Sequence, residues 1–261
     1  MPLPRVIDWS IYNASYWGAF TAFTLGWGFR AGGRHNLPTT GPVLIVANHQ
    51  SFLDPVIFGL AANRPLTYLA RSSLFRNPIG AAIIRSYGAV PIDRGFGREG
   101  LQAVFDTLDQ GRAVLMFPEG ERTHDGSLQP LKPGVSLLVK RTTATIVPAA
   151  IAGAYHTWPR QAKRPRTSPL FLPDSGRSIA ITFGEAVPAG HYRKMDRDAI
   201  IADLEARIAT AFHAAEKLRR KDRLTRTGSR VAVAMPRGVP VPIAYEWRRV
   251  ADRPPAFAVG E

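Results

Sequence analysis

An α/β fold is predicted: a single domain with a mixed, largely parallel sheet covered by helices on both faces, preceded by an N-terminal membrane-associating helix. Three observations lead there. Short apolar runs alternate along the chain with amphipathic stretches of helical period, the pattern of strands joined by crossover helices. The length, 261 residues, suits one compact domain with appendages. From Trp9 to Phe29 no residue is charged, while tyrosine, phenylalanine and tryptophan recur.

That first window is long enough to cross a bilayer, but Ser10, Asn13, Ser15, Thr21, Thr24 and three glycines make a simple span a poor fit. Trp9, Tyr12, Tyr16, Phe20, Phe23 and Trp27 fall at steps of three and four, one aromatic stripe on a helix. Rings with polar atoms sit well at a headgroup boundary, so the stripe is expected to lie in a membrane interface; the competing expectation is a helix packed on the protein's own core. Beyond Gly32-Gly33 and Pro38, Val43–Ala47 is a continuous apolar strand, and Asp54-Pro55 opens a helix towards Ala62. Leu66–Leu69 reads as strand, Asn77-Pro78 as the start of a helix, and Ala89–Ile92 as strand. Leu101–Asp109 is an amphipathic helix stopped at Gly111, Ala113–Phe117 a buried strand, Val135–Lys140 a helix and Thr145–Ile151 a strand. Ser178–Phe183 is a further strand, and Asp198–Arg220 a long helix with Ile201, Leu204, Ile208 and Phe212 on one face. Residues 152–177 read as a long basic loop with four prolines. The organisation expected is therefore an N-terminal segment over 1–35, a main domain over 36–220 and a basic, weakly ordered tail over 221–261.

Lysine and arginine number 34 against 20 acidic residues, a net charge of +14. With 45% hydrophobic residues this is a folded body with a cationic surface, not a disordered polyelectrolyte. Such a surplus favours nucleic acid, membrane headgroups or a phosphorylated small molecule as partner. It is uneven: residues 1–150 carry a net +5 and residues 151–261 a net +9, with dense runs at Lys163-Arg164-Pro165-Arg166 and from Lys217 to Arg230. Cysteine is absent, which removes disulfides, thiolate nucleophiles and Cys-ligated metal together.

Three loops that follow strands carry the reactive residue types, and in open α/β sheets chemistry gathers beyond the carboxyl ends of the strands. The first is Asn48-His49-Gln50-Ser51-Phe52-Leu53-Asp54. Five positions apart on a continuous helix, His49 and Asp54 would point about 140° away from each other, so their meeting needs a turn. Asp54-Pro55 supplies one as N-cap and first helical position, and the plain alternative is that Asp54 is only a cap. A carboxylate on one ring nitrogen would hold the imidazole and stabilise its cation, leaving the other nitrogen to take a proton from an attacking hydroxyl. Ile92-Asp93-Arg94-Gly95 and Phe117-Pro118-Glu119-Gly120-Glu121-Arg122-Thr123 follow two further strands, each with an arginine near a glycine. A guanidinium beside accessible backbone suits bidentate binding of phosphate. Glu119 or Glu121 could accept from a polyol hydroxyl or hold an arginine; equally, the arginines could be surface charges and Glu119-Gly120 an ordinary turn.

Together these loops resemble one family, the glycerolipid acyltransferases of the 1-acylglycerol-3-phosphate acyltransferase type. Asn48 to Asp54 is similar to their NHxSxxD signature, Gly88-Ala89-Val90-Pro91-Ile92-Asp93-Arg94 to their second block, Phe117 to Arg122 to their FPEGxR block and Ile146-Val147-Pro148-Ala149-Ala150 to their fourth. Lys132-Pro133-Gly134 resembles the KxG often found between the last two. Pro91 and Glu121 depart from the pattern, which usually has a larger apolar residue and a threonine there. The resemblance implies transfer of a fatty acyl group from a thioester donor, acyl-CoA or acyl carrier protein, to the free hydroxyl of a lysophospholipid, most simply 1-acylglycerol-3-phosphate, giving phosphatidic acid. It implies His49 and Asp54 as the catalytic pair, and Arg94, Glu119, Gly120, Arg122 and Lys132 as binding residues for the acceptor's phosphate and glycerol. It implies no cofactor besides the donor, no metal, and a membrane-associated protein on the cytoplasmic face, monotopic or peripheral.

Other readings remain open from sequence. The acceptor could be another lysolipid such as lyso-ornithine lipid. Gly95-Phe96-Gly97-Arg98-Glu99-Gly100 satisfies G-x-G-x-x-G with Glu119 at the distance of a ribose-binding acid, the pattern of a dinucleotide-binding oxidoreductase. A non-catalytic basic membrane-binding module would explain the charge alone. Nucleic acid is not expected as a partner, because no recognised binding motif is present.

Overall fold

The computed structural model describes residues 6–62, 64–77, 81, 88–92, 98–169 and 176–219, with residues 6–15 described as backbone. Its elements are α1 (Val6–Trp27), β1 (Arg30–Gly32), β2 (Val43–Ala47), α2 (Asp54–Ala61), β3 (Leu66–Arg71), β4 (Ala89–Ile92), α3 (Arg98–Asp109), β5 (Ala113–Met116), α4 (Gly134–Arg141), β6 (Thr145–Ala152), α5 (Ala154–Thr157), β7 (Ala180–Phe183) and α6 (Arg197–Arg219). Among the described residues the strands form one seven-stranded sheet in the order β1-β7-β6-β2-β5-β3-β4. The five strands from β6 to β4 are mutually parallel. β7 runs antiparallel to β6 and β1 parallel to β7, so the sheet is mixed and largely parallel, as the alternating pattern predicts.

Strand β2 reads Val-Leu-Ile-Val-Ala because both of its faces are covered, and all five residues are fully buried. On one side Val43, Ile45 and Ala47 pack with Val147, Ile151 and Phe183 against Ile57, Phe58 and Leu60 of α2. On the other, Leu44 and Val46 pack with Val114, Met116 and Ile146 against α3, α4 and α6. Each large aliphatic side chain so buried contributes about 1.5–3 kcal/mol, and the two layers keep the sheet edges of the central strands in fixed register. The β6–α5 turn depends on Gly153: its φ is +89°, and a Cβ there would stand 2.0 Å from the Ser178 carbonyl oxygen.

Two expectations change. The helix over the uncharged window forms, but the aromatic stripe is not its free face. Tyr16, Phe20, Phe23 and Trp27 pack on the core beside α2, the Tyr16 hydroxyl donates to the Leu60 carbonyl at 3.0 Å, and Phe20 meets Phe29 edge-on at 5.9 Å. The outward face instead presents Trp17 and Leu25, with Gly18, Thr21 and Ala22 between them. No helix among the described residues is long and apolar enough to cross a membrane. The second change concerns Arg30–Gly32, inside the segment assigned to the N-terminal appendage: it joins the sheet through β7. Three residues carry too weak a period-two signal to be read as a strand. Most of the helix expected after Asn77-Pro78, Asp93 to Gly97 with Arg94, residues 170–175 and the tail from 220 lie outside the described residues.

Candidate active site

Because β2 and β5 are parallel and paired, with Val46 opposite Met116, the loops that leave them start side by side. Asn48 fixes the first. Its buried amide donates to the Ile151 carbonyl (3.0 Å) and accepts from the Ile151 N–H (2.9 Å), continuing the pairing with β6 where β2 has ended. His49 therefore departs from a backbone position held on both sides.

His49 and Asp54 meet as expected, Nδ1 lying 2.8 Å from Oδ2. Asp54 is fully buried in the first turn of α2, yet it does not cap that helix: it makes no bond to the helix N–H groups. Its Oδ2 accepts instead from the backbone N–H of Gln50 (2.5 Å) and Ser51 (2.8 Å), tying the loop back on itself, while Oδ1 is buried with no hydrogen-bond partner. With N–H donors converging on one oxygen, the ring proton sits on Nδ1 and the lone pair on Nε2. Phe117 stacks on the imidazole at 4.1 Å with an interplanar angle of 11°, which sets the ring plane. The imidazole is 19% exposed and no described residue hydrogen-bonds Nε2, so that nitrogen is available to an incoming hydroxyl.

Glu119 lies between the two loops. It is buried, its Oε2 accepts the His49 N–H (3.1 Å) and its Oε1 the Gln129 N–H (3.2 Å). Among the described residues it is paired with no arginine, and it clamps the β2 loop to the β5 loop. The sequence offered no signal for this, since its partners are backbone groups. Burial pushes its carboxyl up to about 8, against the lowering effect of the two backbone N–H groups. A raised native pKa binds the proton more tightly in the folded state, so this contribution is full below about pH 4.5 and is lost as pH rises through about 8. Glu119→Gln removes that dependence but sets an amide donor against one of two backbone donors, a cost of about 1–3 kcal/mol. Melting curves from pH 5 to 9 on both proteins should show a Glu119-dependent decline only in the parent.

Gly120 is exposed and has φ +79°; a Cβ there would lie 3.3 Å from Cγ and Cε of Lys132, so the Lys132 stem runs over it. Lys132 is exposed, and its N–H donates to the Pro118 carbonyl at 2.8 Å. The Arg122 guanidinium lies 4.9 Å from the Phe52 ring centroid and has no ion pair among the described residues. Its pKa is lowered by burial and then by the charge of Arg160. Six of the seven named residues thus come to the carboxyl edge of the sheet. The seventh, Arg94, lies outside the described residues, two positions beyond the end of β4, which is parallel to β3. Around them sit contributors not singled out from sequence. Gln50 donates to the Gly126 carbonyl (3.0 Å) and accepts from the Tyr155 N–H (3.3 Å), and Ser51 Oγ donates to the Trp158 carbonyl (3.1 Å). Among the described residues no group of three or more His, Asp or Glu converges on a metal site. Most of the G-x-G-x-x-G run lies outside the described residues.

Residues 28–152 match the family model described as Acyltransferase. A chloroplastic 1-acyl-sn-glycerol-3-phosphate acyltransferase from Brassica napus is 31% identical over 125 residues, 46% of this chain and 36% of that protein. One from Helicobacter pylori is 32% identical over 143 residues, 51% of this chain and 59% of that protein. The chain thus spans between about a third and six-tenths of these curated relatives. The crystal structure of the 1-acyl-sn-glycerophosphate (LPA) acyltransferase PlsC from Thermotoga maritima superposes with a TM-score of 0.64 at 20% identity, covering 84% of this chain and 81% of that one; it shares the fold.

Proposed function

Residues 28–152 match the Acyltransferase family model, and from that premise we propose that the protein is of the 1-acylglycerol-3-phosphate acyltransferase type and moves a fatty acyl group from a thioester to the free hydroxyl of a lysophospholipid. The acceptor is 1-acylglycerol-3-phosphate, as the names of the relatives suggest, and the product phosphatidic acid. The observation that carries the reading is the His49–Asp54 pair, with Nε2 of His49 unclaimed at the sheet edge and the unpaired Arg122 on the same loop system.

His49 takes the proton of the acceptor hydroxyl as its oxygen attacks the thioester carbonyl, and the buried Asp54 stabilises the imidazolium that forms. The C–S bond then breaks, the thiolate leaves, and no acyl-enzyme is needed. Thiolate is a good leaving group, so positioning and charge stabilisation are the main demands. Arg122, Lys132, Arg94 and the backbone at Gly120 hold the acceptor phosphate and glycerol, and Glu119 positions the loop that bears His49. The donor is acyl-CoA or acyl-acyl carrier protein, and no further cofactor takes part. The test is a panel of lysophosphatidate, lyso-ornithine lipid and other lysophospholipids with each labelled donor. Phosphatidic acid is expected; acylation of no lysolipid with either donor overturns the reading.

We also propose that the protein works at the cytoplasmic surface of a membrane, through the outer face of α1 in place of the aromatic stripe. Trp17 (61% exposed) and Leu25 (49% exposed) stand on an uncharged stretch, and the net charge of +14 favours anionic headgroups. Trp17→Glu should leave the melting temperature within a few degrees and reduce sedimentation with phosphatidylglycerol vesicles several-fold. Equal sedimentation of both proteins would remove α1 from the interface.

A further inference from the structure

Glu121 stands where a threonine is usual, and the structure gives it a partner that lies outside every block of the resemblance. Arg160 Nη1 is 2.9 Å from Glu121 Oε2 and 3.5 Å from His124 Nε2. The hydrogen bond from Arg160 holds the Glu121 carboxyl below the usual carboxylate range, with smaller contributions from His124 and Lys132. Arg160 is not a cation on a loose loop. Its segment is fastened by Trp158 Nε1 to the Ala162 carbonyl (2.8 Å), Trp27 Nε1 to the Arg166 carbonyl (2.7 Å), Arg166 N–H to the Thr157 carbonyl (2.8 Å) and Ser168 N–H to the Gly26 carbonyl (2.8 Å). Trp158 in turn receives Ser51 Oγ of the catalytic loop and lies 6.2 Å from the Phe52 ring that carries Arg122. The two guanidinium groups, Arg122 on Phe52 and Arg160 on Glu121, therefore stand close enough for the charge of Arg160 to act on Arg122, and only Arg160 is paired with a carboxylate among the described residues.

We infer that Arg160 and Arg122 form two sides of a site for a phosphate group at the mouth of the His49 site, and that Glu121 is an internal competitor which holds Arg160 in the phosphate-free protein. A doubly charged phosphate offers two acceptor edges and outcompetes one carboxylate for two guanidinium groups. The bridge to Glu121 is half exposed at both ends, so exchanging it for phosphate costs little. The chemistry fits either the phosphomonoester of the acceptor or the phosphates of the donor.

The inference uses the acyl-transfer reading for its assay, and Arg160→Gln and Glu121→Gln separate the possibilities. A competitor and the residue it restrains must act in opposite directions. Arg160→Gln should raise KM about tenfold with kcat within twofold, whereas Glu121→Gln should lower the same KM two- to fivefold. The effect falls on lysophosphatidate if the acceptor is the source, and on the acyl thioester if the donor is. If both variants raise KM alike, the pair is a structural bridge and the inference fails; it fails also if neither changes any KM. Calorimetric titration with glycerol 3-phosphate and with inorganic phosphate gives a readout free of the reaction. If the parent transfers no acyl group but binds either anion, more weakly in Arg160→Gln and more tightly in Glu121→Gln, the site stands while the proposed reaction falls. No binding and no KM change overturns the site.

Discussion

His49→Ala should lose acyl transfer by roughly 10²–10⁴-fold while unfolding in a single cooperative transition. In the proposed reaction the imidazole takes the hydroxyl proton, and its removal leaves water at bulk basicity in its stead. The fold survives because the residue's structural tasks belong to its backbone. Its N–H goes to Glu119 and its carbonyl accepts the Thr123 N–H at 2.8 Å, and alanine keeps both. Asp54 retains the N–H groups of Gln50 and Ser51. The loss of the ring's contact with Phe117 and of one hydrogen bond costs about 1–2 kcal/mol, visible as a modest fall in melting temperature. Turnover above a tenth of the parent in a folded variant would remove His49 from the chemistry.

Asp54 separates charge from orientation in an unusual way. Because the His49, Gln50 and Ser51 donors all meet Oδ2, the amide oxygen of Asp54→Asn can replace it and keep the ring proton on Nδ1. Only the negative charge behind the imidazolium is lost, worth about 1.5–3 kcal/mol, so turnover should fall about 10–10²-fold. The amide nitrogen replaces the unpartnered Oδ1 in a dry setting, which adds about 1–3 kcal/mol of destabilisation. Asp54→Ala instead orphans two backbone N–H groups and frees the ring, so its activity should fall to the level of His49→Ala and its stability below that of Asp54→Asn. Equal activity in the two Asp54 variants would mean that the carboxylate acts on the loop alone, not on the imidazole's charge.

The central strands β6, β2 and β5 were legible because strands buried on both faces need continuous apolar runs, and Val43–Ala47, Ala113–Met116 and Thr145–Ala152 have them. β1 was not legible: Arg30-Ala31-Gly32 is held by its neighbour β7, and no local pattern announces it. The aromatic period of α1 was legible but its sense was not, since the same spacing serves a bilayer or a core; the packing of Phe20 and Phe23 beside α2 chose the core. The His49–Asp54 pair was readable from the turn between them, although Asp54 proved to bind its own loop instead of capping α2. Glu119 shows why the rest was hidden. A side chain whose partners are two backbone N–H groups, 70 and 10 positions away, leaves nothing in residue types for a reader to match.

The reversal at β7 fixes more than strand direction. Since β7 runs against β6, α6 carries the chain back along the sheet, and its last residues return to the reactive edge: Arg219 Cδ lies 3.1 Å from where a Cβ on Gly153 would stand, Arg219 Nη1 donates to the Gly176 carbonyl and Arg30 to that of Leu218. Gly153 directly follows the strand whose Ile151 anchors Asn48. Helix α6 thereby ends beside the β6–α5 turn, and the Arg219 guanidinium is spent on its own helix and on the Gly176 carbonyl, with Glu216 Oε1 2.7 Å from Nε, so this cation braces the carboxyl edge of β6.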